Sequence, residues 1–483
     1  MTYKKLRSSY KKIIIFSLVF LLALMPNLTA FAAPSAQELA QQRKNLPIQS
    51  NSYENWPDGP QVSAQSAIVM DVDSGAVLYA KNIDEKLYPA STTKILTCLI
   101  AVENAQMNED VEFSYDAVFG VPRDGSNMGI DVGEILPMED CLYGILVGSA
   151  NEVAAAVGEH VGGDTETFLQ MMNDRAKELG CKNTNFMNAN GLHDENHYTT
   201  AYDLALIGRA FFSNDYLANI ANTPRVHFEP TATQPDDFYL NNKNKLVNGE
   251  IKYQYYMGGK TGYTSQAKQT LVSCAEKDGM RLVCVVMKEE TPDQFNDTVT
   301  LFNYGFSNFK KIKVSEVDTK YTTSNNSFFE SGQDIFGSSK SILELDKNGY
   351  IVIPATAEFE DVESSIGYEN LAKNQVAMIN YTYNGIFVGN VPVKLLENPE
   401  NYDFESESTS ANSVTIINVK IVVLWILGIA LFLSALLFIS RYINQYHFGG
   451  KKGRMAKKRR KRHAQRSVSP YRHFNFDDID LRK

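Results

Sequence analysis

The hydrophobic pattern divides the chain before any motif is considered. Near the start, Lys4, Lys5, Arg7, Lys11 and Lys12 precede an apolar run from Ile13 to Met25, Pro26 interrupts it, and Ala30-Phe31-Ala32 has the small-x-small form of a cleavage site. This predicts a secretory signal over 1–32, cut after Ala32; the run is short for a membrane-spanning helix. A second apolar run, Ile421 to Ser440, is bordered by Lys420 and Arg441. Its length matches a bilayer core of ~30 Å. It predicts a transmembrane helix over 418–440 and, by the positive-inside rule, a cytoplasmic tail over 441–483 that holds Lys451-Lys452 and the basic run Lys457–Arg462.

Between these runs the period changes twice. Ala67–Asp71 and Ala76–Ala80 flank Asp73-Ser74-Gly75 and read as a β-hairpin. Helical spacing follows near 92–105, 137–148, 151–161, 165–179 and 201–212. Strands return at Thr270–Ala275 and Arg281–Met287 around an Asp278-Gly279 turn, and a helix near 291–306 closes the unit. Strands, a block of helices, then strands predict an α+β domain whose antiparallel sheet is assembled from both ends of the segment. Beyond Phe309 only short alternating runs remain, among them Tyr350–Ile353 and Gly385–Val388. The resulting division is a polar lead-in at 33–60, an α+β domain at 61–310, a small all-β domain at 312–396 and a Glu/Asn/Ser-rich linker at 397–417.

Charge sharpens this division. The 483 residues carry a net charge of −9, yet residues 441–483 hold fourteen Lys/Arg against three Asp. The stretch between the two termini is therefore strongly acidic, which argues against a nucleic-acid partner. The basic tail, beside a membrane segment, suits anionic lipid. The cysteines are Cys98, Cys141, Cys181, Cys274 and Cys284, an odd number that leaves at least one unpaired. Cys98 lies in an apolar helical run, and pairing Lys277 with Met280 turns Cys274 and Cys284 to opposite faces of a hairpin. No structural disulfide is expected.

Three short motifs carry the candidate chemistry. In Tyr88-Pro89-Ala90-Ser91-Thr92-Thr93-Lys94, Ser91 stands at the start of a helix and Lys94 one turn on, so amine and hydroxyl can meet. Ser-x-x-Lys alone is weak evidence, since it also begins at Ser8, Ser9, Ser265 and Ser307. Ser149-Ala150-Asn151 falls between two helical runs, where a hydroxyl and an amide can enter a cleft. Lys260-Thr261-Gly262 occurs once, just before the strand at Thr270, and its glycine permits close backbone approach. The order of the three is that of active-serine enzymes acting on penicillin.

On these motifs the chain resembles the low-molecular-mass penicillin-binding proteins, serine-type D-alanyl-D-alanine carboxypeptidases of the S11 peptidase type. The resemblance extends over about 60–395, through Asn188–His193, Tyr198–Ala205, Gly259–Thr264 and Asp278–Leu282. It implies a transpeptidase-like α+β domain with a helical subdomain, followed by a β-rich membrane-proximal domain. It implies Ser91 as nucleophile, Lys94 as base, Ser149 as proton relay, and Asn151, Lys260, Thr261 and Gly262 as substrate-binding residues. The backbone N–H groups of Ser91 and Tyr263 would form the oxyanion hole. The implied partners are peptidoglycan stem peptides ending in D-Ala-D-Ala and, as covalent inhibitors, β-lactams; no cofactor or metal is implied. One departure is local: the family usually has Gly after the alanine corresponding to Ala267, where this chain has Lys268-Gln269.

Other readings stay open at this level. A D,D-endopeptidase of wall crosslinks would use the same residues, and a non-turnover penicillin-binding sensor or wall protein would keep the acylation step. A β-lactamase would need a further Glu for deacylation, for which no clear segment is found. His193 and His197 are four apart, but their surroundings are turn-like and no HExxH occurs.

Overall fold

The computed structural model describes residues 16–17, 34–318, 320, 343–368, 371–372 and 375–395. The chain divides into two units, Met1–Pro399 and Glu400–Lys483, and the second lies outside the described residues. So do the expected linker, transmembrane segment and tail, and all of the expected signal except residues 16–17. Among the described residues no helix is long and apolar enough to cross a membrane.

The strands run in chain order as β1 (Ser66–Asp71), β2 (Val77–Lys81), β3 (Asp110–Glu112), β4 (Ile135–Pro137), β5 (Arg225–Phe228), β6 (Phe238–Asn241), β7 (Tyr256–Thr264), β8 (Lys268–Lys277), β9 (Met280–Glu289), β10 (Phe309–Lys313), β11 (Leu343–Leu345), β12 (Tyr350–Pro354), β13 (Val362–Gly367), β14 (Gln375–Tyr383) and β15 (Ile386–Leu395). The central sheet is ordered β2-β1-β9-β8-β7 and its pairings are antiparallel. It joins the first hairpin to the two returning strands, as the sequence pattern predicts, and adds β7 beside them. β7, which carries Lys260–Gly262, is an outer strand of this sheet.

Both faces of the sheet are buried, in agreement with the near-continuous apolar text of β1 and β9. Ile68, Met70, Cys274, Val283 and Val285 pack with the helical layer, while Val69, Leu282, Cys284 and Val286 pack with the helix Asp293–Asn308 and the later strands. Cys274 and Cys284 thus lie on opposite faces, and all five cysteines are free thiols. The described strands after the helix Asp293–Asn308 form two antiparallel groups, β10-β12 and β11-β15-β14-β13. Tyr350 on β12 joins the two parts of the unit, its hydroxyl 2.5 Å from Asp73 Oδ2 in the first hairpin turn.

Several helices start at a side-chain cap. Asp164 accepts the Thr167 N–H before Thr165–Glu178, and Thr200 accepts the Asp203 N–H before Ala201–Phe212. One expectation is refined and two need correction. The helix expected over 137–148 is α-helical over Met138–Tyr143 and widens to a π-helical turn over Gly144–Gly148, closed by Ala150 N–H to Gly144 O at 3.1 Å. The polar lead-in is a packed element: Ala36–Lys44 is a helix held by a Ser35/Glu38 capping box, a signal present in the sequence, and Trp56 Nε1 donates to Leu78 O at 2.9 Å. Finally, β3 pairs with β4 and β5 with β6 inside the helical block, in strands of three or four residues that are too short to show a period.

Candidate active site

The site forms where the helical layer meets the outer strand β7. Ala90–Thr93 is a 3₁₀ turn leading directly into the helix Lys94–Asn104. Ser91 and Lys94, three residues apart, therefore project to the same side. Lys94 Nζ lies 3.0 Å from Ser91 Oγ, 2.8 Å from Asn151 Oδ1 and 2.5 Å from the Asn190 carbonyl oxygen. Lys94 is wholly buried and Ser91 half-buried.

Three acceptors match the three N–H donors of an ammonium. The neutral amine is accommodated equally well: two N–H groups stay on Asn151 and Asn190, and the lone pair turns to the Ser91 hydroxyl. Because an ammonium can only donate, the contact also fixes the Asn151 amide, with its oxygen on Lys94.

Lys260 is buried on β7 and donates to Ser149 Oγ at 2.9 Å and to the Thr261 carbonyl at 2.9 Å. Ser149 reaches it from a left-handed backbone conformation, φ 62°, at the end of the wide turn. Such a φ is uncommon outside glycine and is held here by the surrounding packing. Burial lowers the pKa of Lys94 well below that of a free lysine, and the neighbouring Lys260 charge lowers it further. Burial also brings Lys260 down to about 7. Both directions follow from the cost of a charge in a poorly solvated cleft.

β7 lies directly against the Ser91 turn. A methyl group on Gly262 would stand 3.0 Å from the Ser91 nitrogen and 2.9 Å from the Pro89 carbonyl oxygen, so this approach requires glycine. Thr261 is half-buried beside it, and the following Tyr263 exposes its ring to solvent. Seven of the eight sequence-predicted residues thus gather around one cleft by hydrogen bonds or backbone packing; Tyr263 joins them as the residue after Gly262.

The turn is braced from behind. Gly191, at φ +79°, fits against the Ala90 carbonyl where any Cβ would collide. His197 is buried and accepts the Met187 N–H on Nδ1 at 3.1 Å, which leaves Nε2–H to donate to Thr93 Oγ1 at 2.8 Å. Thr93 in turn donates to Ala90 O at 2.9 Å. Burial pulls the His197 pKa down to about 4, so it acts as a neutral strut. His193 stands apart, its ring edge-on to Tyr88. Among the described residues no group of His, Cys, Asp and Glu is arranged to hold a metal ion.

Several residues at the site have no motif of their own. Asn190 acts through a backbone carbonyl, which leaves no residue-type signature. Lys243 reaches the rim, donating to Ser126 Oγ at 3.2 Å. Glu152 is buried directly behind Asn151. At the departure, Lys268 takes φ +57°, a value that glycine adopts without strain.

Known proteins resemble this arrangement and the sequence around it. A family profile described as Peptidase S11, D-alanyl-D-alanine carboxypeptidase, matches residues 53–291. D-alanyl-D-alanine carboxypeptidase DacB2 of Mycobacterium tuberculosis is 34% identical over 260 residues, covering 52% of this chain and 84% of the relative. D-alanyl-D-alanine carboxypeptidase DacF of Bacillus subtilis is 35% identical over 253 residues, covering 51% of this chain and 63% of the relative, less than two thirds of its length. The solved structure of penicillin binding protein 5 from Haemophilus influenzae superposes with a TM-score of 0.55 at 27% identity, covering 71% of this chain and 99% of that one.

Proposed function

The chain belongs to the D-alanyl-D-alanine carboxypeptidase family, and on that premise we propose that it removes the terminal D-alanine from peptidoglycan stem peptides through an acyl-enzyme on Ser91. The observation that carries this reading is Lys94 Nζ, held between Ser91 Oγ and Asn151 Oδ1 in a buried pocket. Lys94 takes the hydroxyl proton as Ser91 Oγ bonds to the carbonyl carbon of the penultimate D-alanine. The tetrahedral oxyanion is received by the backbone N–H groups of Ser91 and Tyr263, which Gly262 allows to approach one another. Ser149, linked to Lys260, relays a proton to the departing amine as the C–N bond breaks. Lys260 and Thr261 hold the terminal carboxylate and Asn151 the substrate amide. Water then cleaves the serine ester. A β-lactam, whose ring amide takes the place of the D-Ala-D-Ala bond, forms the same ester.

The two lysines make this activity pH-dependent. The base must be neutral and the carboxylate-binding Lys260 must be charged. With Lys260 at about 7, kcat/KM for a peptide ending in D-Ala-D-Ala is expected to fall above neutral pH, approaching tenfold per pH unit as Lys260 loses its proton. The acid side falls as Lys94 gains one. Measuring D-alanine release between pH 5 and 10 checks this, with the L-Ala-L-Ala peptide expected to be inert. Release that ignores stereochemistry would reject the reading.

We further propose that the protein is exported and anchored by 418–440, with the acidic body outside and the basic tail against anionic lipid inside. The support is the order of the apolar runs and the charges beside them.

A further inference from the structure

Glu152 has a role that the motifs leave unassigned. It is 3% exposed. A carboxylate in the first turn of a helix ordinarily sits in solvent and gains from the helix dipole. This one has Oε1 accepting the Met128 N–H at 2.6 Å, while Oε2 is buried without a hydrogen-bond partner among the described residues. Burying a carboxylate this way is costly unless something compensates.

Burial raises the Glu152 pKa, and two sets of contacts work against that cost without cancelling it. The first is mechanical. The segment Gly125–Gly129 lies over Asn151: Asn151 N–H donates to Ser126 O at 2.9 Å, and a Cβ on Gly125 would stand 2.8 Å from Asn151 Nδ2. The Met128 tether to Glu152 is the next link in the same cover. The second is electrostatic. The charges of Lys260 and Lys243 disfavour the Lys94 ammonium, while Glu152 and the Cys98 thiol favour it. Cys98 is kept neutral by burial, which pushes its thiol up, and His197, which Lys94 also influences, is neutral as well. Glu152 is the carboxylate in this set.

We propose that Glu152 is a positioning residue for acylation: it fixes the segment over Asn151 and supplies the negative charge that lets Lys94 carry the proton taken from Ser91. The inference rests on the active-serine reading. As the Ser91 Oγ–carbon bond forms, the proton passes to Lys94 Nζ, and an ammonium appears beside Lys260 in a buried site. Among the described residues that act on Lys94, removing Glu152 leaves that ammonium with cations and neutral groups.

The test uses the full chain and the rate of acylation by a fluorescent penicillin across pH 5 to 10. Rates are normalised to the fraction of protein that can be acylated, so that misfolded material does not count. Glu152→Gln keeps an oxygen for the Met128 N–H but removes the charge. The Lys94 ammonium is then less stabilised, its pKa falls, and the acid limb is expected to move to lower pH by about one unit. Glu152→Asp keeps the charge but shortens the reach to Met128; it is expected to slow acylation severalfold with the limb in place. An unmoved limb in Glu152→Gln, or a limb in Glu152→Asp displaced as far as one unit, overturns the inference. A merely structural carboxylate would change the amplitude and leave the limb alone. Acylation that persists in Ser91→Ala would instead overturn the underlying reading.

Discussion

Replacing Ser91 with alanine is expected to reduce D-alanine release by about a millionfold, to the level left by binding and oxyanion stabilisation alone. The fold should survive. The Ser91 hydroxyl is half-buried and accepts one hydrogen bond, from Lys94 at 3.0 Å, and losing such a contact costs about 1 kcal/mol. In a domain of this size that is a shift in Tm of about 2–4 °C. The two readouts separate chemistry from folding: circular dichroism and melting stay close to the parent while turnover disappears. A Ser91→Ala protein that still released D-alanine would place the nucleophile elsewhere.

Lys94→Met is the second large effect, with a different signature. General-base removal is expected to cost about 10³–10⁴-fold in acylation, near the upper end for positioned proton transfer. Stability is set by opposing terms. Asn151 Oδ1 and Asn190 O lose their donor, and each buried acceptor left unpaired costs about 1–3 kcal/mol. Against this, a buried amine whose charged form burial strongly disfavours is replaced by an apolar chain of similar length. The net change in melting should therefore be small. The pH dependence of acylation should flatten on its acid side, because the group that titrates there is gone. Retention of a full acid limb in Lys94→Met, measured by penicillin labelling, would assign the base to another residue.

The parts of this site that were legible in the sequence are those where chemistry demands a residue type. A hydroxyl nucleophile, an amine base one helical turn away, and a second lysine before a glycine in an edge strand leave fixed letters at fixed spacings. The sheet was legible for a related reason: its central strands are buried on both faces and so read as nearly continuous apolar text. What the letters did not show are features carried by the backbone. Asn190 contributes a carbonyl, and any residue has one. Ser149 reaches Lys260 because Gly144–Gly148 widens into a π-type turn and the serine takes a left-handed φ, neither of which has a compulsory residue. The short pairs β3-β4 and β5-β6 have three or four residues per strand and fall below the length at which alternation is visible. The capping box at Ser35 and Glu38 was readable and marks the lead-in as a folded element. Lys268 gives the converse case: a glycine-compatible φ of +57° is held by a lysine.

One hydroxyl, on Ser91, activated by the buried amine of Lys94, is expected to form a covalent ester with the substrate. Mapping a trapped β-lactam adduct by peptide mass spectrometry tests it most directly, since it identifies the acylated atom's residue without relying on turnover. The expected result is a single adduct on the peptide containing Ser91, absent from Ser91→Ala and slow to form in Lys94→Met. An adduct on any other residue, or stoichiometric D-alanine release from a chain that never becomes acylated, would contradict the account.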